Sequence, residues 1–117
     1  MLDLSIESER PVYKLGDVAR FTITAYFGPD GHPPDTWMIP TIWYLDDGNP
    51  VAPDQYPDYP MHESDSETEN VGWFVHPILR GRWGTFRAEA MVYEPEREEL
   101  GKVHVDFEVI APAGKSA

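Results

Sequence analysis

The residue types in this chain best suited to making contacts are aromatic and acidic. Trp37, Tyr56, Tyr59 and Trp83 stand beside or near proline or glycine, outside the stretches that alternate like strands. Tryptophan and tyrosine dominate the energetics of protein interfaces, and loops on a rigid scaffold are where binding residues concentrate. Asp54 and Asp58 interleave with the two tyrosines, and Arg80 and Arg82 adjoin Trp83 as the one local basic cluster. These eight residues are the candidate binding surface for a protein partner. An alternative use is sugar binding, with Trp37, Tyr56 and Tyr59 stacking on sugar faces while acidic side chains bond hydroxyls. Against both stands a plainer role, in which the rings fold back to cap the ends of a core.

Catalytic and metal-binding patterns are weaker. His32, His62, His76 and His104 have no spacing that puts two ligands on one element, so a zinc site would need distant residues to converge. Asp54, Asp58, Glu63, Asp65, Glu67 and Glu69 supply oxygens for calcium but lack the spacing of an EF-hand loop. Serine, histidine and acid are all present without a nucleophile elbow. The segment Gly81-Arg-Trp-Gly84 lacks the lysine and helix of a phosphate-binding loop. A carboxylate-pair enzyme would need a defined separation across a cleft, which an acid-rich stretch mimics by chance. The expectation is a protein that is not an enzyme, with no cofactor and no metal.

Charge narrows the partners. The formal net charge is −12, which opposes binding to nucleic acid or to an anionic membrane surface. From Phe21 to Leu79 there are ten acids and no lysine or arginine, so one contiguous stretch holds most of the charge. That asymmetry, set against Arg80 and Arg82, suggests head-to-tail self-assembly. No run of residues approaches a membrane span, and no secretory signal opens the chain. The expected setting is cytoplasmic, in a virion, or as an excised extracellular domain; a self-standing chain that opens on methionine also suits a particle-decorating component. The chain has no cysteine, so no disulfide staples it.

The elements that must position these residues read as strands. Leu2, Leu4 and Ile6 alternate with polar neighbours, and Pro11 then interrupts pairing as at an edge or strand switch. Gly16-Asp17 makes a turn into a strand that points Ala19, Phe21, Ile23, Ala25 and Phe27 inward. A strand over residues 39–45, apolar on both faces, ends in an Asp46-Asp-Gly-Asn turn that leads to a short return strand at Val51. Residues 52–70 read as a long loop, rich in proline and acid, whose composition forbids an interior strand. Further alternation covers residues 71–76, 86–93 and 103–109, with residues 94–99 as a charged hairpin tip. Nothing carries a helical period. An all-β, antiparallel β-sandwich of about seven strands follows, with Phe21, Ile23, Trp43, Trp73, Phe86, Val105 and Phe107 as its core. It occupies residues 1–111 as one domain, and residues 112–117 form a flexible tail.

Three short segments, in order, carry a resemblance: Arg10-Pro-Val-Tyr-Lys-Leu-Gly-Asp17, Gly84-Thr-Phe-Arg-Ala-Glu-Ala90 and Asp106-Phe-Glu-Val109. Together they resemble the macroglobulin-type immunoglobulin-like domain of α2-macroglobulins, complement components and bacterial surface proteins. Leu15 stands where that pattern usually has proline, and the acidic insertion before Val71 departs from it. The resemblance implies a packing or binding module, accessory, adhesive or assembling, and supplies no catalytic residues.

Overall fold

Alternating apolar residues build two facing inner surfaces in the computed structural model, which describes residues 2–29, 35–63, 68–79, 82–96 and 98–111. Ten strand segments run in order: β1 (Asp3–Ser8), β2 (Val12–Lys14), β3 (Val18–Tyr26), β4 (Trp37–Asp46), β5 (Asn49–Gln55), β6 (Tyr59–Pro60), β7 (His62–Glu63), β8 (Glu69–Pro77), β9 (Gly84–Tyr93) and β10 (Glu99–Ile110). One sheet has the order β1-β3-β8-β7, and the other β2-β10-β9-β4-β5 with β6 also pairing to β4. The chain is therefore all-β, an immunoglobulin-like sandwich with three more segments than the seven expected. The extra ones are short pieces that lie at sheet edges.

β3 shows how period-2 patterning becomes a core. Ala19, Phe21, Ile23 and Ala25 are buried, while Arg20 and Val18 face water. Across the sandwich Ala88, Ala90 and Val92 of β9 and Phe107 and Val109 of β10 are likewise buried. Phe21 stacks on Phe74 with centroids 5.0 Å apart and meets Phe107 at 5.3 Å, so three strands share one aromatic knot. Burying each such side chain stabilises the fold by about 1.5–3 kcal/mol. On β8 the inner face is Gly72 and Phe74, because a Cβ at Gly72 would stand 2.9 Å from Met38 Sδ and 3.1 Å from Met61 Cγ.

Two core expectations are overturned. Trp73 is 52% exposed on the outer face, where the Arg20 guanidinium lies 4.7 Å from its ring. Trp43 is half-buried on the outward side of β4, since Met38 and Ile42 take the inner face. Phe86 and Val105 are partly buried against the core.

The segment around Pro11 is the strand switch. β1 pairs with β3, and after Pro11 the chain crosses to the other sheet, where β2 runs parallel to β10. Pro11 contributes its carbonyl to Glu108 N at 2.9 Å, a role that needs no N–H of its own. Tyr13 is buried edge-on to Phe107, its hydroxyl accepting from Arg10 N at 3.0 Å and bonded to Ser8 Oγ at 2.9 Å. Gly16 then takes φ 93°, a conformation that suits glycine, and Asp17 Oδ2 accepts from Lys14 N at 2.9 Å to close the turn.

Residues 52–70 are not simply a loop. β5 pairs with β4 through the Asp47-Gly48 turn, both of whose central residues have positive φ, as a two-residue hairpin requires. β6 returns to β4 and β7 joins β8, so this stretch crosses from one sheet to the other. Every described residue of β5 and β6 is exposed, in keeping with edge positions where proline is tolerated. Residues 112–117 lie outside the described residues.

Candidate functional site

Strand pairing creates a groove on the outer face of the six-stranded sheet. In the β4–β9 register Trp37 lies opposite Tyr93 and Ile39 opposite Met91. These four outward side chains form a patch walled by Asp58 and Pro95, with a volume of about 560 Å³. Beside Trp37 a buried polar pair, Asn70 Nδ2 donating to Thr36 Oγ1 at 2.8 Å, anchors the start of β4 to β8. Met61 N donates to Thr36 O at 2.9 Å, which holds the segment before it against β4 and brings Asp58 beside Tyr93. The Tyr93 hydroxyl donates to the Asp58 carboxylate.

A second concavity opens between the two sheets near the other end of β4. Tyr44, Asp54, Tyr56, His76, Arg82 and Phe86 are among its lining residues, and its volume is about 450 Å³. Tyr56 sits 2.5 Å from His76 Nδ1 through its hydroxyl, and its ring reaches the buried Phe74 at 6.0 Å. Burial pushes the Tyr56 phenol up to about 12, with the Asp54 carboxylate and then Tyr59 adding to the rise. Burial also lowers the His76 imidazole below its ordinary value, partly offset by the attraction of Asp54. With both groups neutral, the phenol and Nδ1 share one hydrogen bond, whose donor is set by the imidazole tautomer. The Arg82 guanidinium lies 4.6 Å from the Tyr44 ring, and Tyr44 O–H donates to Trp83 O at 3.4 Å.

The candidate residues therefore divide between two places. Trp37 and Asp58 line the groove; Asp54, Tyr56 and Arg82 line the cleft. Trp83 is partly buried against the core beside the cleft, and Tyr59 is 38% exposed on β6. Trp37 and Tyr59 lie in strands rather than in loops, Trp37 as the first residue of β4. Arg80 lies outside the described residues. Trp37, Tyr56 and Tyr59 do not line a common concavity. Ile39, Met91, Tyr93 and Pro95 enter the groove unannounced, although apolar side chains at outward strand positions are a signal that sequence carries.

Among the described residues no group of three or more histidine, aspartate or glutamate side chains is placed to hold a metal ion. His62 and His104 are exposed and His76 is engaged with Tyr56, while His32 lies outside the described residues.

No protein-family model and no curated protein matches the chain. Among solved structures it is similar to a CARDB domain from Pyrococcus furiosus, determined in complex with di-metal ions. The TM-score is 0.57 at 19% identity, over 96% of this chain and 94% of that one. A solution structure of the same domain gives a TM-score of 0.56 at 17% identity, over 93% and 94% of the two chains. Alkylpurine DNA glycosylase AlkC from Pseudomonas fluorescens, bound to DNA containing an abasic site analog, matches at a TM-score of 0.57 and 16% identity. There the match covers 92% of this chain but 29% of the enzyme. Likeness at these identities speaks for the fold alone, and the fold is an immunoglobulin-like β-sandwich of the kind seen in CARDB domains.

Proposed function

We propose that the chain is a non-catalytic immunoglobulin-like module that binds another protein, as an accessory, adhesive or assembly component. The observation that carries this reading is the groove of Trp37, Ile39, Met91 and Tyr93 on an outer sheet face. Outer faces of antiparallel sheets are ordinarily polar, and aromatic and methionine side chains are enriched at interfaces. The macroglobulin-type motifs at residues 10–17, 84–90 and 106–109 agree with a packing and binding role. Tyr56 and His76, a titratable pair in the cleft, are both held neutral and engage each other, which favours a structural use of that pair.

Sugar binding has one observation in its favour, the Trp37 ring beside a tyrosine whose neighbour is a carboxylate. The groove's remaining walls are Ile39, Met91 and Pro95, which offer little to sugar hydroxyls. A protein side chain fits that lining better.

The test is capture from the native source with the chain as bait, alongside a Trp37→Ala/Tyr93→Ala variant shown to keep its circular dichroism. A protein retained by the parent and lost by the variant supports the reading. Glycan binding without a protein partner overturns it.

A further inference from the structure

Three rows of side chains cross the outer sheet face at the groove. The register aligns Trp37, Tyr93 and Glu99 in one row, Ile39, Met91 and Lys102 in the next, and Thr41, Glu89 and His104 in the third. Asp58 stands over the first row, hydrogen-bonded by Tyr93, and Glu94 and Glu96 follow Tyr93 at the hairpin tip. Lys102 is thus the described cation in these rows, against Asp58, Glu89, Glu94, Glu96 and Glu99. Aromatic ring faces framed by carboxylates attract a positive charge twice, through the ring quadrupole and through Coulomb attraction.

The chain uses the same device internally. Arg10 lies 4.9 Å from the Tyr13 ring, Arg20 4.7 Å from Trp73 and Arg82 4.6 Å from Tyr44. Among the described residues no arginine or lysine is stacked on Trp37. Resting on the protein-binding reading above, we infer that the groove takes a cationic segment of its partner, with an arginine side chain laid along Trp37. The guanidinium then reaches Asp58 or Glu99, and its methylene stem covers Ile39 and Met91. Arginine fits better than lysine, because a planar guanidinium stacks on a ring and forks onto a carboxylate together.

The probe is a fluorescein-labelled peptide of alternating arginine and glycine, compared with its glutamate–glycine counterpart and with a neutral oligosaccharide. Anisotropy should show binding of the arginine peptide alone. Because any acidic protein attracts a cationic peptide, the variants decide. Trp37→Ala should weaken binding about tenfold. The exposed charge-only changes Asp58→Asn and Glu99→Gln, which leave the sandwich intact, should each weaken it about threefold. Trp73→Ala, which removes a tryptophan from the other sheet, should leave it unchanged. Equal affinity across all four variants, or no binding by the parent, overturns the inference. A captured partner whose groove-bound segment lacks arginine and lysine overturns it while the protein-binding reading stands. Oligosaccharide binding that Trp37→Ala abolishes overturns both.

Discussion

The Tyr56 hydroxyl meets His76 Nδ1 at 2.5 Å and joins the exposed arm that follows β5 to the inner side of β8, across the gap between the sheets. β5 pairs with β4 yet is exposed along its whole length, so it buries little apolar surface of its own. Tyr56 N also donates to Pro40 O at 2.9 Å, so one residue is fixed by main chain to β4 and by side chain to β8. Tyr56→Phe keeps the ring against Phe74 and removes only the hydroxyl. It should cost about 1 kcal/mol in urea unfolding, and hydrogen exchange should accelerate in β5 and β6 while β3 stays protected.

The same pair predicts two opposite pH dependences. His76 has a lowered value in the fold, so its contribution is complete above the ordinary histidine range near pH ~6.5 and is lost as pH falls through the lowered value. Tyr56 is raised, so its contribution is complete below about pH 10 and declines as pH rises toward about 12. Denaturant unfolding at pH 7.5 and 5.0 should show a smaller loss of stability in His76→Phe than in the parent. Ultraviolet titration should find the Tyr56 phenol ionising only as pH approaches about 12. Parallel slopes for parent and variant would show that His76 is not shielded.

The glycines separate strain from crowding. Gly16 has φ 93° and nothing within 4 Å of where a Cβ would stand, so Gly16→Ala suffers backbone strain alone and should cost about 1 kcal/mol. Gly72 lies in the interior of β8, and a Cβ there meets Met38 and Met61. Gly72→Ala should cost about 1–3 kcal/mol by overpacking. A Met38→Ala background should absorb part of that cost, a non-additivity measurable in a double-mutant cycle. Equal cost in both backgrounds would assign the effect to something other than the methionine.

Much of the sandwich was legible because its long strands alternate and bury one face. Pro11 and Asp47-Gly48 mark their places by local chemistry, a missing donor and positive φ. Trp73 was misplaced for a physical reason: residues 71–76 carry bulky apolar side chains on both faces, so period alone cannot choose between them. The space that Met38 and Met61 fill opposite Gly72 makes that choice, and it belongs to other parts of the chain. Trp43 misled in the same way. The groove was half legible, through Trp37 and Asp58, while Met91 and Tyr93 join them only by long-range pairing of β4 with β9. Tyr56 looked like a loop contact because its acidic, proline-rich neighbours conceal that its ring reaches Phe74.

Core substitutions should follow depth rather than ring size. Phe107 is 2% exposed and touches Tyr13, Phe21 and Phe86, so Phe107→Ala should cost about 3–5 kcal/mol. Trp43 is the larger residue, yet its indole Nε1 is buried with no hydrogen-bond partner among the described residues. Trp43→Phe trims some packing but removes an unsatisfied donor whose burial costs about 1–3 kcal/mol. The two effects oppose, so Trp43→Phe should lie within about 1 kcal/mol of the parent. Thermal unfolding of both variants beside the parent checks the order. A loss in Trp43→Phe approaching that of Phe107→Ala would mean that the Trp43 indole N–H is satisfied in solution.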